Sequence, residues 1–147
     1  MAKKKLYTIG YEGLSLRALL SRLKANKVEV VVDVREVPRS RKRGFAKSHL
    51  DLQLTQAGIS YLHFGSLGSP APARKKYKID GDFAAFARSY AKVLKNERAV
   101  LDEVYSLAAE KDCCLLCYEA DARTCHRSLV GTEIAELNGG EFDVKHL

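Results

Sequence analysis

A chain of 147 residues with 46% hydrophobic content is expected to make one packed domain spanning 1–147, not a disordered tract. A domain of this size buries roughly two-thirds of its unfolded surface, so it needs no disulfide staples. Its four cysteines, Cys113, Cys114, Cys117 and Cys125, crowd into one short stretch, which argues against a secreted disulfide framework and for a reduced compartment. The formal charge of +7 is uneven. Residues 3–5, 35–47 and 74–78 hold 13 of the 25 basic residues against a single acid, Glu36. Concentrated positive charge suits a phosphate-bearing partner, a small anion or a nucleic acid, because each neutralised phosphate releases counterions.

The stretch Met1–Lys5 has lysines but no apolar run long enough for a signal peptide, and no stretch approaches a membrane span. A cytoplasmic location away from membranes is therefore expected. Lys5–Gly10 reads as a short strand. Leu14–Ala25 reads as a helix, with Leu16, Leu19, Leu20 and Leu23 at helical spacing and Ser15 as its N-cap. Val28–Val34 is β-branched almost throughout, as in a strand buried on both faces of a parallel sheet.

After Pro38 and a basic run, a helix over His49–Ala57 is stopped by Gly58, and Ile59–Phe64 forms a third strand. Gly65–Asp80, with Pro70, Pro72 and a lysine run, reads as a long loop of the kind used for binding. Asp80–Ala109 is helical, as two helices or one bent helix. Cys113–Tyr118 is an apolar strand, and Cys125–Leu137 is a helix ended by Asn138-Gly139-Gly140. Glu141–Leu147 adds an edge strand. Strands alternating with helices predict a three-layer α/β fold, with a mostly parallel sheet of about five strands and helices on both faces.

In such sheets ligands bind beyond the carboxyl ends of the strands. Four polar groups fall there: Gly10-Tyr11-Glu12-Gly13, Asp33-Val34-Arg35 with Ser40, Gly65-Ser66-Leu67-Gly68, and the segment from Cys117-Tyr118-Glu119 to Arg127. The glycine turn at 10–13 either aims backbone N–H groups at an anion or simply closes a tight strand-to-helix turn. Glu12 in it would repel a phosphate unless Arg35 or Arg127 pairs with it. Asp33 and Arg35 alternate along the strand end and project to one side. They form either a structural ion pair or an anion clamp that Asp33 orients. The run Arg39–Arg43 is expected to form a loose flap over this edge, because its cations repel one another.

The segment 117–127 is the richest. Cys125 opens a helix, where a thiol's pKa falls, so it is a candidate thiolate. Cys117 and Arg123 have the separation of a phosphatase-like loop, but Glu119 and Asp121 would then face the phosphate. Cys117, Glu119, Cys125 and His126 are also acceptable zinc or iron ligands, although their spacing is not that of a ribbon or finger. Cys113 and Cys114 read as core residues. His63 ends the third strand, and His49 and His146 carry no signal.

The motifs Thr8-Ile9-Gly10-Tyr11-Glu12-Gly13, Asp33-Val34-Arg35 with Pro38 and Ser40, Gly58-Ile59-Ser60-Tyr61 before Leu67-Gly68, and Cys117-Tyr118-Glu119 with Cys125-His126-Arg127 resemble, in order, the family catalogued as domain of unknown function 488. The resemblance covers nearly the whole chain. It implies a small α/β domain with no assigned activity or cofactor. It marks Tyr11, Glu12, Asp33, Arg35, Ser40, Cys117, Glu119, Cys125, His126 and Arg127 as site residues.

Two functions remain open. One is an enzyme on a phosphate-bearing or nucleotide-like substrate, with catalytic Cys117, Glu119, Cys125, His126 and Asp33. Tyr11, Glu12, Arg35, Ser40 and Arg127 would then hold the substrate. The other is a non-catalytic nucleic-acid-binding module using the basic loops 35–47 and 74–78, with Phe45, Tyr61, Phe64 and Tyr77 placed to stack on bases.

Overall fold

The computed structural model describes residues 3–147. Met1 and Ala2, the first residues of the stretch read above for a signal peptide, lie outside them. Five strands run in chain order: β1 (Lys4–Gly10), β2 (Val30–Asp33), β3 (Ser60–His63), β4 (Cys113–Cys117) and β5 (Phe142–His146). They form one all-parallel sheet in the order β3-β2-β4-β1-β5. The helices are α1 (Leu16–Ala25), α2 (Lys47–Gln56), α3 (Ala71–Asp80), α4 (Phe83–Asn96), α5 (Arg98–Glu110) and α6 (His126–Glu136). No helix among the described residues is long and apolar enough to cross a membrane.

Side-chain alternation along the strands divides the core in two. Val30, Val32, Leu115 and Cys117 face one side, where Phe86 and Tyr90 of α4, Val104 of α5 and Val130 and Ile134 of α6 pack on them. Ile9, Val31, Cys114 and Leu116 face the other, against Leu19 and Leu23 of α1 and Leu50 and Leu54 of α2. These leucines are wholly buried, and each contributes about 1.5–3 kcal/mol. Cys113 and Cys114 are core residues as expected.

Local signals start and stop the helices. Ser15 caps α1 by accepting the Ala18 N–H at 3.0 Å. Gly58 stands at φ +81°, past the end of α2, where other residues are strained. The expected Asp80–Ala109 helical stretch divides at Glu97 into α4 and α5.

One expectation is corrected. Residues 65–80 are not a loop. Gly65–Leu67 makes a single 3₁₀ turn, and Ala71–Asp80 is helix α3, with Pro70 at its N-cap and Pro72 in its first turn. Proline is pre-organised for a helix start, where its missing N–H costs nothing. The lysine run is therefore one turn of a helix, and Arg74 and Lys78 fall on one face at i,i+4 spacing.

Candidate functional site

Parallel pairing aligns the carboxyl ends of β1, β2 and β4, with Gly10 opposite Cys117 and Asp33 opposite Leu116. A cavity of about 490 Å³ opens beyond them. Cys117, Glu119 and His126 lie in its wall, with Arg35, Arg39, Arg74 and Lys78 around it. A smaller chamber of about 270 Å³, walled by Tyr77 and Phe86, shares Arg74, Lys78, Glu119 and His126 with the first.

Cys117 ends β4, Cys125 is the N-cap of α6 and His126 is its first residue. Between them, Asp121 caps a 3₁₀ turn over Ala122–Thr124. This short excursion folds the chain back, so that four reactive groups meet. Cys117 Sγ lies 3.6 Å from His126 Nδ1, and Cys125 Sγ lies 3.9 Å from the same nitrogen. Glu119 Oε2 is 3.2 Å from Cys125 Sγ and 3.6 Å from Cys117 Sγ. His126 Nε2 donates to the Val34 carbonyl at 2.8 Å, since that oxygen can only accept. The Tyr90 ring meets the imidazole edge-on at 5.4 Å.

The charges of these groups are linked. The hydrogen bond from Cys117 holds the Cys125 thiol well below its ordinary range, with help from His126, against the effect of burial. The same bond, then burial, pushes Cys117 up. Burial, then the charge on Cys125, raises Glu119. Burial disfavours the His126 imidazolium, but its hydrogen bond to Cys125 and that residue's charge outweigh this. Cys125 is 1% exposed and does not line the cavity; Cys117 does. The sulfur whose pKa is lowered is thus the more enclosed of the two.

A second polar group sits on the other side of the sheet. Arg35 gives Nε and Nη2 to the Asp33 carboxylate at 2.7–3.1 Å. Its Nη1 goes to the Phe45 carbonyl at 2.8 Å and the Tyr11 hydroxyl at 3.2 Å. Tyr61 donates its hydroxyl to Asp33 Oδ2 at 2.5 Å. Burial opposes the guanidinium charge, and the bonds to Asp33 overcome that and keep it cationic. Asp33 is wholly buried and outside the cavity wall, and Arg35 reaches that wall with four of its five guanidinium N–H groups engaged.

Arg127 and Glu12 also take other positions than a substrate-binding role requires. Arg127 is fully buried. Its guanidinium bonds the Glu119 carbonyl at 2.5 Å, the Ala120 carbonyl at 3.3 Å and Thr8 Oγ1 at 3.2 Å. Glu12 Oε1 accepts the Ala120 N–H at 3.0 Å and pairs with neither arginine. Both residues grip the loop that carries Glu119. The turn at 10–13 does not cradle an anion either. The Tyr11 and Glu12 N–H groups bond the Cys117 and Tyr118 carbonyls at 3.2 and 2.8 Å. Gly10 is required because an added Cβ would stand 1.7 Å from the Glu119 carbonyl oxygen.

Arg123 is largely exposed, paired with Asp121 and outside the cavity, so no phosphatase-like loop forms. Ser40 lines the cavity and accepts the Lys42 N–H. The basic run is tied down at its end by Phe45, which is fully buried and stacked on Tyr11 at 4.5 Å. Lys42 Nζ lies over the Phe45 ring and donates to the Tyr11 carbonyl at 3.4 Å. Tyr77 packs on Phe83 and Phe86, and Tyr61 serves Asp33, so these rings anchor structure. His63 bonds the Arg35 carbonyl at 2.8 Å.

Sequence reasoning missed Arg74 and Lys78 as cavity residues, although the Pro70–Pro72 helix start would have placed them on one helical face. It also missed Val34, whose carbonyl orients His126.

No curated protein and no solved structure matches the chain significantly. The profile of the family described as a domain of unknown function, DUF488, matches residues 15–134. The match takes in the Asp33–Arg35 pair, the cavity cations and the whole Cys117–Arg127 segment, and the chain belongs to that family.

Proposed function

We propose that the chain is an enzyme acting on a small phosphate- or carboxylate-bearing substrate, with Cys117, Glu119, Cys125 and His126 as its reacting groups. One observation carries this reading. The sulfur, imidazole and carboxylate cluster forms the floor of a cavity whose rim holds Arg39, Arg74 and Lys78. Perturbed titratable groups converging in a cleft are a common mark of catalysis. The cavity volume suits a ligand of nucleotide size or smaller.

Arg39 and Lys78 bring charge to the rim, while Arg74 is shared with Glu36 at 3.3 Å. Glu119 reaches both chambers and both sulfurs, which suits it to move a proton between substrate and cluster. The alternative of a nucleic-acid-binding module loses support from its own aromatic candidates. Phe45 is fully buried on Tyr11, and Phe64 and Tyr77 pack partly buried against the core, whereas stacking on bases needs free ring faces.

Calorimetric titration with inorganic phosphate, pyrophosphate and adenosine monophosphate tests the reading, alongside a turnover screen of phosphate esters. Arg74→Ala and Lys78→Ala should each weaken anion binding by about tenfold or more, the worth of one charged hydrogen bond. Glu119→Gln should abolish turnover while sparing binding. Anion affinity indifferent to both cation variants would overturn the proposal.

A further inference from the structure

We infer that Cys117, Cys125 and His126 form a three-ligand site for a divalent transition-metal ion of the zinc class, with its fourth position open to the cavity beside Glu119. The inference concerns the reacting cluster of the proposed enzyme and supplies the cofactor that reading lacks.

The first argument is geometric. One donor atom from each of Cys117, Cys125 and His126 lies within 4.8 Å of the other two. A tetrahedral zinc ion, with bonds of about 2.3 Å to sulfur and about 2.0–2.2 Å to nitrogen or oxygen, sets sulfur–nitrogen and sulfur–oxygen edges of about 3.6 Å. The two sulfur–nitrogen edges here are 3.6 and 3.9 Å. The donors already stand at coordination spacing.

The second argument is independent of spacing. Metal-bound histidine characteristically donates its other ring N–H to a carbonyl or carboxylate, which fixes its tautomer. His126 does this through Nε2 to the carbonyl of Val34, 92 residues away and just past the end of β2. With Nε2 so engaged, Nδ1 is the nitrogen turned to the two sulfurs, and an ion there would displace its proton. Tyr90 backs the imidazole, so the ring is held on two sides.

Glu119 touches both sulfurs but stands outside the closed set of three. Three protein ligands with a fourth position left for water or substrate are the pattern of catalytic zinc, whereas structural sites are closed by four. Cys117 and His126 both line the cavity, so the open position faces the rim cations. A substrate anion held by Arg74 and Lys78 would lie against the metal. The apparent mismatch between two buried thiols and an anion-binding cavity is thereby resolved, since the ion neutralises the thiolates and offers the anion a positive partner.

Titrating the chelator-treated full-length protein with cobalt(II) tests this, followed by displacement with zinc and native mass spectrometry of the product. The expected result is one ion per chain, with sulfur-to-cobalt charge-transfer absorption and the intense visible bands of tetrahedral cobalt. Cys117→Ser and Cys125→Ser should each weaken binding by at least about tenfold, and Cys113→Ala should leave it unchanged. If a serine variant does not fold by circular dichroism, the wild-type spectrum still decides. Absence of saturable binding, an octahedral spectrum without sulfur charge transfer, or binding that survives both serine variants would overturn the inference. Inorganic phosphate titrated into the metal-free protein separates the two proposals. Phosphate binding that depends on Arg74, without metal binding, would remove the metal and leave the anion site standing.

Discussion

The Asp33–Arg35 pair gives the sharpest quantitative test, because it lies beside the cavity yet has every sign of a structural role. Asp33 is wholly buried, and its oxygens receive two guanidinium nitrogens and the Tyr61 hydroxyl. Truncation to Asp33→Ala leaves the Arg35 charge in a site where the guanidinium is 6% exposed. Breaking one side of a buried pair costs about 3–5 kcal/mol, a large share of the roughly 5–15 kcal/mol that holds a domain together. At about 2–4 °C per kcal/mol for a chain of this size, Tm should fall by about 6–20 °C. Replacing both members, as Asp33→Leu with Arg35→Met, removes the stranded charge. It should cost less than the single substitution, apart from about 1–3 kcal/mol for the Phe45 carbonyl and Tyr11 hydroxyl that lose Arg35; the Tyr61 hydroxyl and the backbone N–H of residue 35 lose Asp33 in both variants. Urea denaturation of Asp33→Leu, Arg35→Met and the double closes a cycle whose coupling term is the observable. Additive losses, or an Asp33→Ala cost under about 1 kcal/mol, would refute the structural reading and return Asp33 to the list of catalytic candidates.

Gly10→Ala should destabilise the protein by more than the roughly 1–3 kcal/mol of ordinary overpacking and should impair cobalt(II) uptake, since its Cβ strikes the backbone at Glu119; a variant with wild-type Tm and metal affinity would contradict the close approach. In metal-free native protein, iodoacetamide followed by peptide mapping should label Cys117 first, because it lines the cavity. Cys113, whose thiol burial pushes up to about 12, and Cys114 should stay unlabelled until the protein unfolds. Equal labelling of all four in the folded state would count against the packing described here.

Much of the architecture is legible in the residues because parallel sheets write a simple pattern. The unbroken β-branched run before Asp33, the Ser15 cap and Gly58 each act within a few residues of one another, and each keeps its expected role. The α3 region was misread because two prolines and a lysine run mimic loop composition, whereas proline in a first helical turn is a start signal. That the candidate residues gather at one end of the sheet was legible, but not which of them line the cavity and which are buried behind it. Asp33, Arg127 and Cys125 carry the right chemistry at the right end of the sheet. What separates a wall residue from a buried strut is which carbonyls and side chains come to meet it. Those partners lie up to 119 residues away, as with Arg127 and Thr8. Strand order is likewise invisible locally, since β2 pairs with β4 across more than half the chain.

That strand order explains why two motifs so distant in sequence work as one device. With β4 between β2 and β1, the loop after Cys117 rises between the end of β1 and the Val34 carbonyl beyond β2. Gly10 lets the loop pass close, Glu12 holds the Ala120 N–H, and Arg127 holds the Glu119 and Ala120 carbonyls from beneath. The backbone around Glu119 is therefore fixed from three sides, while its carboxylate stays half-buried at the meeting of the two chambers. Functional groups need this kind of support, because a shift of about 1 Å at a reacting atom costs orders of magnitude in rate. The charged residues outside the cavity wall thus serve the site by position. The loop that carries Glu119 is held at its backbone, and the Glu119 carboxylate is set against both sulfurs.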